Sequence, residues 1–145
     1  MEDKQMMEHR FFSKIGAFSV NLHNPRSAVK SLRYASRSME RPNASLFIYP
    51  EGKIVPFTVN KPEFKRGLGW LAKECPECDL VPVGICIHTA RHDKPELFIR
   101  VGKASKPDIN MEPGEISHSL ELDLQSVLIT LRKDAHTATD LFRLL

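Results

Sequence analysis

The chain has 145 residues, 41% of them hydrophobic and 27% charged, with a formal net charge of +3; this suits a single ordinary globular domain with a modest core. So weak a positive balance lacks the Lys and Arg density of a nucleic-acid groove, and no nucleic-acid partner is expected. No window approaches the run of about 18 apolar residues that a membrane span needs, the charged opening "MEDKQMMEHRFF" lacks a secretory apolar core, and three cysteines without a signal fit a reducing cytoplasm.

The first element read in chain order is a helix in "KQMMEHRFFSKIG", ending near Gly16. A short strand candidate, "AFSV", follows. Residues 25–40 then show a 3.6-residue period, with Val29, Leu32, Ala35, Ser36 and Met39 on one face and Lys30, Arg33 and Arg37 off it, the pattern of an amphipathic helix. Asn24 before Pro25 is a start signal, a capping side chain followed by a proline in the first turn.

"RPNA" reads as a turn, and "SLFIY" as an apolar run of strand length, buried and stopping at the "PEG" turn. A second helix is expected from about Lys61, with Phe64, Leu68, Leu71, Ala72 and Cys75 at helical spacing. "LVPVGICI" and "ELFIRVG" read as strands joined by the polar "HTARHDKP". The near-continuous apolar character of the first predicts burial on both faces, as in a parallel or mixed sheet. Pro82 marks a ladder end or irregularity early in that strand. "KASKPDINMEPGE" is a loop, and residues 117–145 carry one or two helices, with Leu124, Val127, Leu128 and Leu131 on one face and "TATD" opening the last. The expected fold class is therefore α/β, a mixed, mostly parallel sheet flanked by helices, in one domain spanning residues 1–145.

Three groups could carry chemistry. Cys75 and Cys78 have the spacing of a metal or dithiol pair, but a structural zinc needs four ligands and no second pair exists, so they read as incidental and no metal is expected. Lys30, Arg33 and Arg37 on one helix, and Lys61, Lys65 and Arg66 at the start of another, are ordinarily solvated faces. Converging on one spot, they would suit a phosphate, the second group with help from helix N-terminal N–H donors. In "YPEG", Glu51 follows an apolar run directly, at the place where α/β sheets put their ligands. Pro50 and Gly52 stiffen and sharpen its turn, and "FKRG" follows close along the chain.

Taken in order, "FIYPEGKI", "FKRGLGWLA" and "LVPVGI" resemble the glycerophospholipid acyltransferases of the 1-acylglycerol-3-phosphate type. Tyr49, Pro50, Glu51 and Gly52 match the first four places of that family's Phe-Pro-Glu-Gly-Thr-Arg motif. Phe64, Lys65 and Gly67 match its Phe-Lys-x-Gly helix start, and Val81, Pro82 and Val83 match its Val-Pro-Val strand. "KIGAFSVNLHNPRSAVKSLRYA" is similar to the segment bearing the second motif and "FIRVGKA" to the closing strand, so the likeness runs over about residues 11–104, leaving 105–145 as a helical tail. The resemblance implies an acyltransferase-like core and acyl transfer from acyl-CoA or acyl-carrier protein to a lysophospholipid-type hydroxyl, without metal or organic cofactor. It is compatible with a cytoplasmic protein making peripheral contact with the inner face of the membrane. It assigns Tyr49, Pro50, Glu51, Gly52, Lys53, Arg26 and Lys65 to acceptor or donor binding.

The sequence also departs from the family. Lys53 and Ile54 stand where Thr-Arg is usual, and Leu22 stands at the place of the second-motif arginine, with Arg26 four residues on; Lys and Arg are not equivalent for bidentate phosphate binding. The catalytic Asn-His-x4-Asp motif should precede the second-motif segment. His9 instead has Lys14 five places later, so these residues offer no catalytic dyad, and the expectation is a C-terminal, incomplete acyltransferase core that is inactive alone and leaves an apolar sheet edge or face uncovered. The alternative is a non-catalytic lipid- or partner-binding module of the same origin. The pair His88 and Asp93 has the dyad's internal spacing in the wrong place and reads as coincidence.

Overall fold

A computed structural model describes residues 11–14, 16–18, 20, 24–51, 61–89 and 93–137. Its first described element is a one-turn helix, α1 (Phe11–Lys14), followed by Gly16 in the left-handed region at φ +83°. Residues 17, 18 and 20 of the expected "AFSV" strand are irregular; the Phe18 ring meets Tyr34 edge-on, with centroids 5.5 Å apart.

Helix α2 (Pro25–Met39) starts where the sequence signals it. The Asn24 carboxamide oxygen accepts from the N–H groups of Arg26 and Ser27 at 3.1 and 3.2 Å, and Pro25 occupies the first turn. Ala35 is buried, with Leu32, Ser36 and Met39 half-buried beside it, while Val29 remains exposed.

The next expectation is overturned. Residues 45–49 form no strand, and the run is not buried: Phe47 and Tyr49 are 88% and 87% exposed. An apolar run becomes a strand only where another edge pairs with it, and none does so here among the described residues. Helix α3 (Arg66–Glu74) also begins later than Lys61. The N–H of Phe64 is taken by the Glu121 carboxylate at 2.6 Å and that of Lys65 by the Pro50 carbonyl at 3.3 Å, which holds the lead-in extended.

Strands β1 (Val83–His88) and β2 (Glu96–Val101) pair antiparallel, from Val83 opposite Val101 to His88 opposite Glu96. The mostly parallel sheet is thus corrected: among the described residues the sheet is a two-stranded antiparallel hairpin. Its connection explains why. Only residues 89–95 separate the strands, and a parallel crossover needs about a dozen. Burial on both faces is corrected as well, since β1 alternates exposed and buried positions. Pro82, expected early in the strand, lies just outside it, at the ladder end that was expected there. Its carbonyl accepts from Gly102 N–H, and the pairing resumes between Leu80 and Ser105 one residue out of step.

Helix α4 (Pro113–Thr137) is continuous and starts four residues before the expected tail helix. Pro113 sits in its first turn, and the Glu115 carboxylate reaches back to accept from the Glu112 N–H at 2.9 Å, one half of a capping box. The expected helix opening at "TATD" lies, beyond Thr137, outside the described residues. The long helix is the spine of the fold. Its first half packs on α3, where a Cβ at Gly69 would fall 1.8 Å from the Pro113 carbonyl oxygen. Its second half covers one face of the hairpin, with Leu131 and Ala135 buried against Cys86 and flanked by Phe98 and Leu128. Among the described residues no helix is long and apolar enough to cross a membrane.

Candidate functional site

The expected site residues divide by position. The Tyr49–Pro50–Glu51 turn is joined to the start of α3 by the hydrogen bond from Lys65 N–H to the Pro50 carbonyl. Tyr49 projects outward, Glu51 is half-buried, and Lys65 is exposed as the cap residue of α3. Arg26 is exposed in the first turn of α2. Gly52 and Lys53 lie outside the described residues.

Two contacts fix how α2 and α3 lie together. Leu32 packs over Gly67, close enough that a Cβ there would stand 3.2 Å from its Cδ1, and Ser36 lies beside Cys75. Advancing along one helix therefore advances along the other. The two run in the same general sense, with Arg26 six residues ahead of Leu32 and Lys65 two ahead of Gly67. Lys65, Arg66 and the "YPE" turn gather at the start of α3, and α2 points its N-terminus the same way.

That end is less open to an anion than its residue types suggest. A helix N-terminus attracts anions through unsatisfied N–H groups, and here most are already engaged. Phe64 N–H binds Glu121, Leu68 N–H returns to the Lys65 carbonyl, and Gly69 N–H binds the Ser117 hydroxyl at 3.0 Å. At most Arg66 and Gly67 keep a backbone donor for an incoming group. Anion binding at this end would rest mainly on the Arg26, Lys65 and Arg66 side chains.

Glu121 and Ser117 are the residues of this region that the sequence reading missed. Ser117 is buried, donating to the Lys65 carbonyl while accepting from Gly69. Glu121 also meets the His118 ring nitrogen at 2.9 Å. Burial acts to raise its pKa, but the Phe64 N–H, His118 and Lys61 outweigh burial and hold it below the usual Glu value. Both lie more than 45 positions from the residues they hold, and a polar side chain on a helix gives no sign of such a partner.

The remaining candidates fall elsewhere. Cys75 ends α3 and Cys78 closes the following turn; burial pushes the Cys75 thiol up, against reactivity as a thiolate. His88 faces His136 edge-on with ring centroids 6.2 Å apart, while Asp93 is exposed in the hairpin connection. A cleft of about 630 Å³ lies between the β2 end and α4, bordered by Arg100, Lys103, Ser105, Asp123 and Thr130. Of its positive side chains, Arg100 is already paired with Asp134 at 2.6 Å, outside the cleft's lining. None of its lining residues belongs to the "YPEG" turn. No known protein family, curated protein or solved structure matches this chain.

Proposed function

We propose that the chain is an acyltransferase-like domain whose acceptor side is the end shared by the "YPEG" turn and the first turns of α2 and α3. The observation that carries this reading is the Lys65 N–H to Pro50 carbonyl hydrogen bond. It joins the two motifs that the resemblance pairs, although eleven residues separate Gly52 from Phe64. In this reading Arg26, Lys65 and Arg66 hold the acceptor's phosphate, Lys53 adds a further positive charge, and Glu51 orients the acceptor. Tyr49 and the apolar side chains before it meet the hydrocarbon of a lysophospholipid at the membrane surface. The donor is acyl-CoA or acyl-carrier protein, and its carbonyl receives the acceptor oxygen once a general base has removed the hydroxyl proton.

That base is the missing part. Deprotonation needs a side chain within hydrogen-bond reach of the hydroxyl, and no His-x4-Asp stands ahead of the second-motif segment in these 145 residues. The same observation favours a second reading, a module that binds a lysolipid or partner without turnover.

Titration with lysophosphatidic acid and with its uncharged monoacylglycerol analogue tests the shared part. The anionic lipid should bind more tightly, and the pair Arg26→Glu/Lys65→Glu should remove the difference; equal binding of both lipids by the parent chain would end the proposal. Fusing a segment that bears Asn-His-x4-Asp ahead of residue 11 separates the two readings. Acyl-CoA consumption that appears with the fusion and vanishes with its His→Ala change supports the acyltransferase, and binding without consumption supports the module.

A further inference from the structure

The two faces of the hairpin meet different surroundings. Gly84, Cys86 and Phe98 face α4. The other face presents Val83, Ile85 and Ile87 of β1 directly opposite Val101, Ile99 and Leu97 of β2, and these six are 41–67% exposed. Three successive cross-strand pairs thus form a continuous aliphatic surface with no polar or charged side chain among them. Together the six expose on the order of 600 Å², the upper end of the largest patch on a typical monomer, about 300–600 Å².

We propose that this face is the interface of a homodimer, in which two copies stack their hairpins face to face across a twofold axis. The area is sufficient when the faces close fully: two of them would bury at most roughly 1,200 Å² together, the lower end of the range for stable specific interfaces, about 1,200–2,000 Å². The chemistry fits a second copy better than a different partner. None of the six side chains offers a charge or hydrogen bond by which an unlike surface would be selected. The face asks only for another uncharged apolar face of the same pleat, and self-complementarity is what a twofold interface requires. The architecture fits too. Two hairpins stacked about 10 Å apart make a sandwich core with mostly β-branched side chains between the layers. Each α4 would lie on the outside, giving helix, sheet, sheet, helix.

The proposed interface uses none of the residues assigned to acceptor binding, so it stands or falls independently of that reading. Sedimentation equilibrium of the full chain between about 1 and 100 μM tests it, a range spanning weak to moderate association. A reversible dimer is expected. Ile85→Thr/Ile99→Thr should raise its dissociation constant tenfold or more, with an unchanged far-UV CD spectrum because Thr suits a strand. Ile85→Lys/Ile99→Lys should leave monomer only; if that pair fails to fold, the Thr pair decides. A chain monomeric at every concentration overturns the proposal, and so does a dimer indifferent to the Thr pair. A chain that is monomeric in buffer but floats with neutral phosphatidylcholine vesicles, and loses that with the Thr pair, would overturn it in favour of a lipid surface.

Discussion

Glu121 joins elements that the chain keeps far apart, and its charge state sets how well it does so. Its folded pKa lies below the ordinary Glu value, so its stabilisation is complete above the unfolded value of about 4.3 and is lost as the pH falls through the lower folded value. Glu121→Gln keeps the shape and one acceptor oxygen but removes the charge. It should cost about 1–2 kcal/mol in urea denaturation at neutral pH. The deficit should shrink toward zero once the parent's carboxyl is protonated; an equal deficit in acid would assign the role to shape. At this scale the sequence was informative wherever a residue acts on its near neighbours. Asn24 caps the helix that follows it, and Pro25 and Pro82 sit where their missing N–H groups require. Glu121 and Ser117 act on partners brought near only by folding, and no local pattern marks them.

Among the elements, helices with a continuous apolar stripe were readable and the strands were only half so. A 3.6-residue period survives whatever the helix packs against, which is why α2 and the Leu124–Val127–Leu128–Leu131 face of α4 lie where the spacing predicts. Apolar content misled at the strands. "LVPVGICI" is apolar on both faces, yet α4 covers one only, and "SLFIY" pairs with nothing among the described residues. The seven-residue connection was the better guide, because its length permits a hairpin and forbids a crossover. The join between α3 and α4 depends on a missing side chain. At Gly69→Ala the new Cβ would meet the Pro113 carbonyl oxygen and the Ser117 hydroxyl together. Backbone cannot yield as a flexible side chain does, so the variant should lose about 2 kcal/mol or more. Chemical denaturation measures it, and a loss no larger than helix propensity predicts would show that α3 can move away from α4 freely.

For the molecule as a whole, α4 is the element on which the others depend. Its Ile116, Val127, Leu131 and Ala135 supply half of the eight buried hydrophobic residues among those described. Among the described residues Leu131 is the largest fully buried side chain, packed against Cys86 and Gly84 of β1. Leu131→Ala should cost about 3–5 kcal/mol, a large part of the roughly 5–15 kcal/mol that folds a domain. The melting temperature should fall by about 10 °C or more, and a shift of only a few degrees would mean that the hairpin and helix repack around the gap. Among the described residues, the outward face of the hairpin stays apolar and exposed.

By itself, the sequence determined the amphipathic helices, the start of α2 and the order of the "YPEG", "FKRG" and "VPV" segments, because caps, periodicity and motif order are properties of neighbouring residues. Only the tertiary structure decided that the strands pair antiparallel with one bare face, that the Pro50 turn is bound to the start of α3, and that Glu121 and Ser117 occupy N–H groups an anion would otherwise seek. Those outcomes depend on which surfaces meet after the chain has folded back on itself, and contacts between distant residues leave no period in the sequence.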